Sequence, residues 1–175
     1  MTTYTAESSR LTARDICVAA VLTALVFVAT FVPRIPIPLG YAHLGDAVIF
    51  LSVLVVRRRE AFTAACLGSV LSDVLGGFPI WAVPTFFIKL VMAWIVWRIA
   101  VRETGDGRTA GRGRCLLGFL ASSVWMAVAY TLFGAGLYDS LAAGLASAPG
   151  LFLEGIFNTV VALLVLPVVQ RLPRF

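Results

Sequence analysis

Charge is scarce in this chain. Only 13% of its 175 residues are Asp, Glu, Lys or Arg, whereas 60% are hydrophobic. Soluble domains carry about a quarter charged residues and about half apolar ones, so a mean hydropathy of +0.95 excludes an ordinary soluble domain. The chemistry-bearing residues are scarce too. With one histidine, His43, a His-dependent membrane protease or a multi-His metal site is hard to build. Cys17, Cys66 and Cys115 are odd in number and scattered, each toward the inner end of an expected helix, which supports neither a disulfide framework nor a metal site. No Walker P-loop occurs, so the chain does not hydrolyse nucleotide itself. G-x-S-x-G, H-E-x-x-H and clustered aspartates are missing as well. No cofactor is implied, and the sequence points to binding and not to an enzyme. The polar start MTTYTAESSR precedes a long apolar run without a small-residue cleavage site, and it does not read as a removable signal peptide.

What is present is a series of hydrophobic runs. A membrane-spanning helix needs about 20 mainly apolar residues, so the length accommodates five or six spans and leaves almost nothing for a soluble domain. The expected architecture is a single all-α membrane domain over residues 1–175 with six transmembrane helices, at about 13–32, 41–56, 61–75, 84–100, 115–137 and 150–169. Pro33, Pro36 and Pro38 end the first helix and make 34–44 an ordered, non-helical loop. The second run is short from Gly45 to Val56 and reaches across only if it starts near Tyr41. The third is rich in small residues, which suits close helix packing in lipid. The stretch 72–89, SDVLGGFPIWAVPTFFIK, reads as a re-entrant or capping loop, and 138–149 as another loop. The Gly-rich, charged stretch 102–114 is the one plainly solvated linker.

Arginine placement sets an orientation. Arg10, Arg14, Arg57, Arg58, Arg59, Arg98, Arg102, Arg108, Arg112, Arg114, Arg171 and Arg174 flank one set of helix ends, while the opposite loops hold only Arg34. By the positive-inside rule both termini are cytoplasmic. This explains the net charge of +5 without nucleic acid as a partner. The partner environment is the lipid bilayer of the cell membrane, crossed several times.

In that orientation Asp46 lies at the outer start of the second helix, Asp73 at the outer end of the third, and Lys89 about 8 Å inside the fourth. Glu154 and Asn158 share a face of the sixth helix, one turn apart. Ionisable groups in hydrocarbon usually face a cavity or one another. Their common depth points to one outward-open pocket, capped by loops carrying Tyr41, His43 and Trp81. The alternatives stay open for single residues: Asp73–Lys89 and Glu154–Asn158 as interhelical clasps, Asp46 and Asp73 as wetted helix ends, Trp81 as an interfacial anchor. On the first helix, Ala20 and Ala24 form an A-x-x-x-A stripe with Ala19 and Thr23 beside it, suited either to another helix or to internal packing.

The phrases YAHLGDAVIFLSVLV (41–55), LSDVLGGFPIWAVPTFFIKLVMA (71–93) and EGIFNTVVALLV (154–165) resemble the substrate-binding S component of energy-coupling factor (ECF) transporters, in the branch grouped with riboflavin-type and hydroxymethylpyrimidine-type S components. The resemblance covers nearly the whole chain. It implies a high-affinity binder of a vitamin or vitamin precursor that docks on a transmembrane coupling protein driven by two ATPase subunits. Carried over, the pocket is Tyr41, His43, Asp46, Asp73, Trp81, Lys89, Glu154 and Asn158, and the partner interface is Ala20 and Ala24. It also implies that the loaded subunit topples within the membrane. Three acids and one lysine set the pocket near about −2 if all are ionised. That favours a neutral or cationic polar heterocycle, whether pyridoxine-, hydroxymethylpyrimidine- or riboflavin-like, with Tyr41 and Trp81 stacking on it. The competing readings are a membrane scaffold or assembly protein without a transport role, and an intramembrane enzyme acting on lipid-linked substrates.

Overall fold

A computed structural model describes residues 12–104 and 107–171. The polar N-terminal run with Arg10, and Arg174 near the C-terminus, lie outside the described residues. Helix α1 (Ala13–Phe31) starts at a reciprocal cap: Thr12 Oγ1 accepts from the Asp15 N–H at 3.2 Å, and Asp15 Oδ2 accepts from the Thr12 N–H at 3.0 Å. Its 19 residues rise about 29 Å, close to the hydrocarbon thickness of about 30 Å.

The proline segment after α1 is ordered and non-helical, as expected, and it forms an antiparallel hairpin of β1 (Ile35–Ile37) and β2 (Gly40–Ala42). Pro38 followed by Leu39 at φ 64° has the backbone signs of a type II turn. This corrects the start of the second helix. Tyr41 pairs with Pro36 in the hairpin, so α2 begins only at Gly45 and ends at Val55. Eleven residues rise about 17 Å, roughly half the hydrocarbon. Short as it is, α2 is buried along almost its whole length and touches α1, α4, α6 and the following helix α3 (Arg58–Leu75).

Helix α3 approaches α1 closely at Gly68, where an added Cβ would stand 2.7 Å from the Val26 Cβ. Its C-terminus closes as a Schellman motif: Gly77 takes the left-handed conformation at φ 88°, and the Phe78 N–H reaches back to the Asp73 carbonyl at 2.9 Å. A single 3-10 turn, Pro79–Trp81, leads directly into α4 (Ala82–Ala100), so the chain is helical from two residues before the expected start at Pro84. A second hairpin, β3 (Arg102–Thr104) and β4 (Gly107–Thr109), joins α4 to α5 (Arg112–Leu137).

The largest correction concerns the last helix. Instead of a loop over 138–149, a three-residue turn leads into α6 (Leu141–Val169), with the Ser140 hydroxyl accepting from the Ala143 N–H at 3.2 Å. Pro149 sits inside the helix. Tertiary packing overrides the weak local propensity: Gly144 lies so close to α5 that a Cβ there would stand 2.6 Å from the Thr131 carbonyl oxygen. Cys66 also departs from expectation, lying in the middle of α3 and not toward its inner end.

Each of α1, α4, α5 and α6 is long and apolar enough to cross a membrane. Helix α2 is too short for that, and α3 carries Arg58, Arg59, Glu60 and Asp73. Neighbours pack in the sequence α1, α3, α4, α5, α6, and α2 lies against all of these, reaching α5 through Phe50. The interior is apolar around Ile49, Phe50, Val53, Ile88, Met92 and Met126, with Phe50 and Phe119 stacked at 4.9 Å. Large apolar side chains also cover the outside, among them Val21, Leu117, Leu132 and Leu164. A surface apolar on this scale belongs in lipid.

Candidate functional site

At the end of the bundle carrying the first hairpin, polar groups are buried together. Lys89 of α4 forms an ion pair with Asp46 Oδ1 from the first turn of α2, and both side chains are 1% exposed. Lys89 is the only lysine of the chain. An unpaired ammonium at that depth would cost several kcal/mol, so the pair is a packing requirement as well as a local charge balance. The clasp considered from sequence, Asp73–Lys89, does not form as an ion pair. Asp73 instead accepts from the Tyr41 hydroxyl at 3.5 Å, and its other oxygen is buried without a partner.

Asn158 is fully engaged. Its Oδ1 accepts from the Ala47 N–H at 2.9 Å, and its Nδ2 donates to the His43 carbonyl at 2.7 Å and the Glu154 carbonyl at 3.0 Å. Leu44 offers α2 no side-chain cap, so a residue of α6 supplies the missing acceptor. Glu154 Oε1 accepts from the His43 backbone N–H at 3.2 Å and lies 3.1 Å from His43 Nδ1. His43 sits in the loop between β2 and α2, where burial first, and the Lys89 charge second, push its pKa down to about 4. The imidazole is therefore neutral at neutral pH. Burial also raises the Tyr41 phenol above its ordinary value.

Tyr41, His43, Asp73, Trp81, Lys89 and Glu154 line one cavity of about 60 Å³. Asp46 and Asn158 stand behind that wall and hold it. The reading from sequence missed Tyr130 of α5, which lines the same cavity. Its hydroxyl donates to Thr85 Oγ1 at 3.0 Å, its ring centroid is 5.5 Å from that of Trp81, and Lys89 Nζ lies 5.4 Å from the ring. The signal for Tyr130 was faint, a single tyrosine within an otherwise apolar helix. Arg34 was counted only for topology. Its guanidinium lies between the Phe31 and Tyr41 rings, at 4.1 and 4.3 Å, and donates to the Ser72 carbonyl at 3.3 Å. Arg34 thus ties the hairpin to the end of α3. The resulting enclosure has aromatic walls and acceptor-rich polar edges, and its volume is that of a few waters.

A second concavity, about 590 Å³, runs between α1 and α3. Ala19, Ala20, Thr23, Ala24 and Phe27 form one wall, and Thr63, Leu67 and Leu71 the other. Ala20 and Ala24 are exposed, so the A-x-x-x-A stripe is not consumed by internal packing. Thr23 returns its hydroxyl to the Ala19 carbonyl at 2.7 Å, which keeps the face free of unsatisfied donors.

Comparison with known proteins places these features. Residues 10–171 match the family described as ECF-type riboflavin transporter, S component. The chain is also 36% identical over 113 residues to a protein of Pyrococcus woesei described as an uncharacterized protein in the gap 3′ region, an alignment spanning 63% of this chain and 75% of that protein.

Proposed function

This chain belongs to the ECF-type riboflavin transporter S component family, and from that membership we propose that it captures riboflavin or a closely related neutral heteroaromatic vitamin at the hairpin end of the bundle. It is a multi-pass protein of the cell membrane and a substrate-binding transporter component, not an enzyme. What supports the pocket is the convergence of the hairpin, α3, the 3-10 turn, α4, α5 and α6 on one small cavity. Trp81 and Tyr130 offer ring faces, while Asp73 and Glu154 offer acceptors suited to hydroxyl and ring N–H donors. With Lys89 neutralised by Asp46, a net positive field that would select a polyanion is lacking.

The positive-inside rule puts the arginine-bearing end and both termini in the cytoplasm and the hairpin end outside, with six passes of the chain, in which the short α2 makes its pass inside the bundle, surrounded by protein and not by lipid. The cavity is well below the 300–1,000 Å³ usual for ligand sites, so capture requires the cap to move. The exposed Ala20 and Ala24 face is the docking surface for a transmembrane coupling protein driven by two ATPase subunits. Its width and small side chains suit a helix. Release follows when the loaded subunit topples against that partner.

The test is native mass spectrometry of the detergent-purified chain, with riboflavin titration followed by quenching of flavin fluorescence. We expect a bound heterocycle that is lost in Lys89→Ala and Glu154→Ala, with membrane insertion and a monodisperse elution profile retained. Unchanged affinity in both variants removes the pocket assignment. Absence of any bound or stabilising vitamin would favour the scaffold reading.

A further inference from the structure

At the end of the bundle opposite the hairpin, the junction of α4 and α5 forms an open concavity of about 400 Å³ lined by Trp97, Arg98, Val101, Arg102 and Arg114. Three guanidinium groups border it, and among the described residues none that lines it is acidic. Charges placed only to set topology have no reason to converge on a cavity. Here one of them is fixed: Arg114 Nε donates to the Ile99 carbonyl at 2.8 Å. Arg58 adds a fourth positive charge nearby, its guanidinium carbon 4.9 Å from the Trp97 ring centroid.

Two further observations point to a missing anion. The Trp97 indole N–H, on a side chain that lines the cavity, is buried without a hydrogen-bond partner. Such a donor is usually satisfied. The start of α5 is the second. Its N-cap residue, Gly111, has no side chain with which to cap it, and its first turn holds Arg112 and Arg114 with no acidic residue. Cations at a helix N-terminus oppose the helix dipole, and the uncapped N–H groups there favour an anion. An oxyanion beside Arg114 offsets the charge conflict at the start of α5.

The surroundings decide which oxyanion. One turn along α4 from Arg98 stands Trp94, 48% exposed, and one turn along α5 from Arg114 stands Leu117, 62% exposed. The arginines therefore sit at the end of an apolar surface that runs along the two helices, the arrangement needed to hold a phosphate at the interface and acyl chains below it. We propose that the α4–α5 junction is a binding site for the phosphate headgroup of an anionic phospholipid. The site rests on the membrane location of the chain and is independent of the vitamin assignment. Loss of riboflavin binding leaves it untouched.

The experiment uses the full chain in detergent, mixed with phosphatidylglycerol or phosphatidylcholine and examined by native mass spectrometry. Wild type should retain phosphatidylglycerol over phosphatidylcholine. Arg98→Gln and Arg102→Gln, both at exposed positions, should each lower that retention about fivefold. Trp97→Phe keeps a phenyl ring but removes the pyrrole part of the indole with its N–H, and it should weaken retention by a smaller factor. Arg59→Gln makes the same charge change at the same end but on the α1–α3 groove, and it should retain lipid as wild type does. Equal retention in wild type and the Arg98→Gln/Arg102→Gln double variant overturns the site. Equal loss in Arg59→Gln shows diffuse charge attraction and also overturns it. Inorganic phosphate that displaces the lipid at equal concentration assigns the cavity to free phosphate and overturns the lipid headgroup.

Discussion

The hairpin-end cavity and the α1–α3 groove differ in nearly every physical respect. The first is about 60 Å³, walled by aromatic and ionisable side chains that hydrogen-bond to one another; the second is about 590 Å³, open, and walled mainly by alanine, threonine, leucine and phenylalanine. A small polar solute needs directional partners held in place before it arrives, and at the cavity these are held by a network reaching from α2 to α6. A partner helix needs closeness, which small side chains provide without directional bonds. The contrast fits the two roles proposed for this chain of 175 residues, ligand capture at the cavity and helix docking at the groove. On the proposed reading, substitutions in the cavity should disturb both stability and ligand, whereas those in the groove should leave both intact and disturb association alone.

That contrast can be broken most directly at Lys89. Lys89→Ala leaves Asp46 charged and unpaired in the interior, and it should lower unfolding stability by about 3–5 kcal/mol as well as abolish vitamin binding. The double variant Asp46→Leu/Lys89→Met should recover most of the stability but not the binding, measured by thermal unfolding and flavin titration. Recovery of both would show that the pair serves only folding.

Next comes acid. His43 has a native pKa lowered to about 4 from 6.5, so between those values the unfolded chain binds the extra proton. Its contribution to stability is complete above about pH 6.5 and is lost as pH falls toward 4, by up to about 3 kcal/mol. Subtracting the pH profile of His43→Gln from that of wild type isolates this slope; identical profiles would contradict a buried neutral imidazole.

Asn158→Ala removes the cap on α2 and should cost about 1–3 kcal/mol, read as a lower unfolding temperature. Affinity should fall too, because the His43 loop is released. Trp81→Leu should weaken ligand binding by about 0.5–1.5 kcal/mol through the lost ring contact, with the α1–α3 groove unaffected. The smallest expected change in stability is at the groove. Ala24→Trp, at an exposed position, should alter stability by less than about 0.5 kcal/mol and leave vitamin affinity unchanged, yet impair capture of the coupling protein and uptake. Normal uptake by Ala24→Trp would remove the docking role and with it the contrast.

Much of this was legible before any coordinates. The apolar runs announced the long helices, the prolines after Phe31 announced a non-helical segment, and the shared depth of Asp46, Lys89 and Glu154 announced a buried polar cluster. Pairing was not legible. Lys89 stands at a depth compatible with either Asp46 or Asp73, and only the inward rotation of α2 selects Asp46. The start of α6 was hidden because Gly144, Ser147, Pro149 and Gly150 carry turn propensity, which packing of Gly144 on α5 overrules. Tyr130 and Arg34 were hidden for a related reason: an isolated polar residue in an apolar helix or a loop says nothing about what faces it.

The sequence by itself determined that this protein lives in lipid, which end carries its positive charge, and that its few ionisable groups gather toward the other end. Hydropathy and charge count are additive along the chain, so they need no fold to be read. Tertiary structure alone decided which carboxylate neutralises Lys89, which side chain caps α2, and that the alanine stripe of α1 is left uncovered while Gly68 of α3 takes up the close contact with α1. Those outcomes depend on helix rotation and crossing, which are set by packing between segments far apart in sequence.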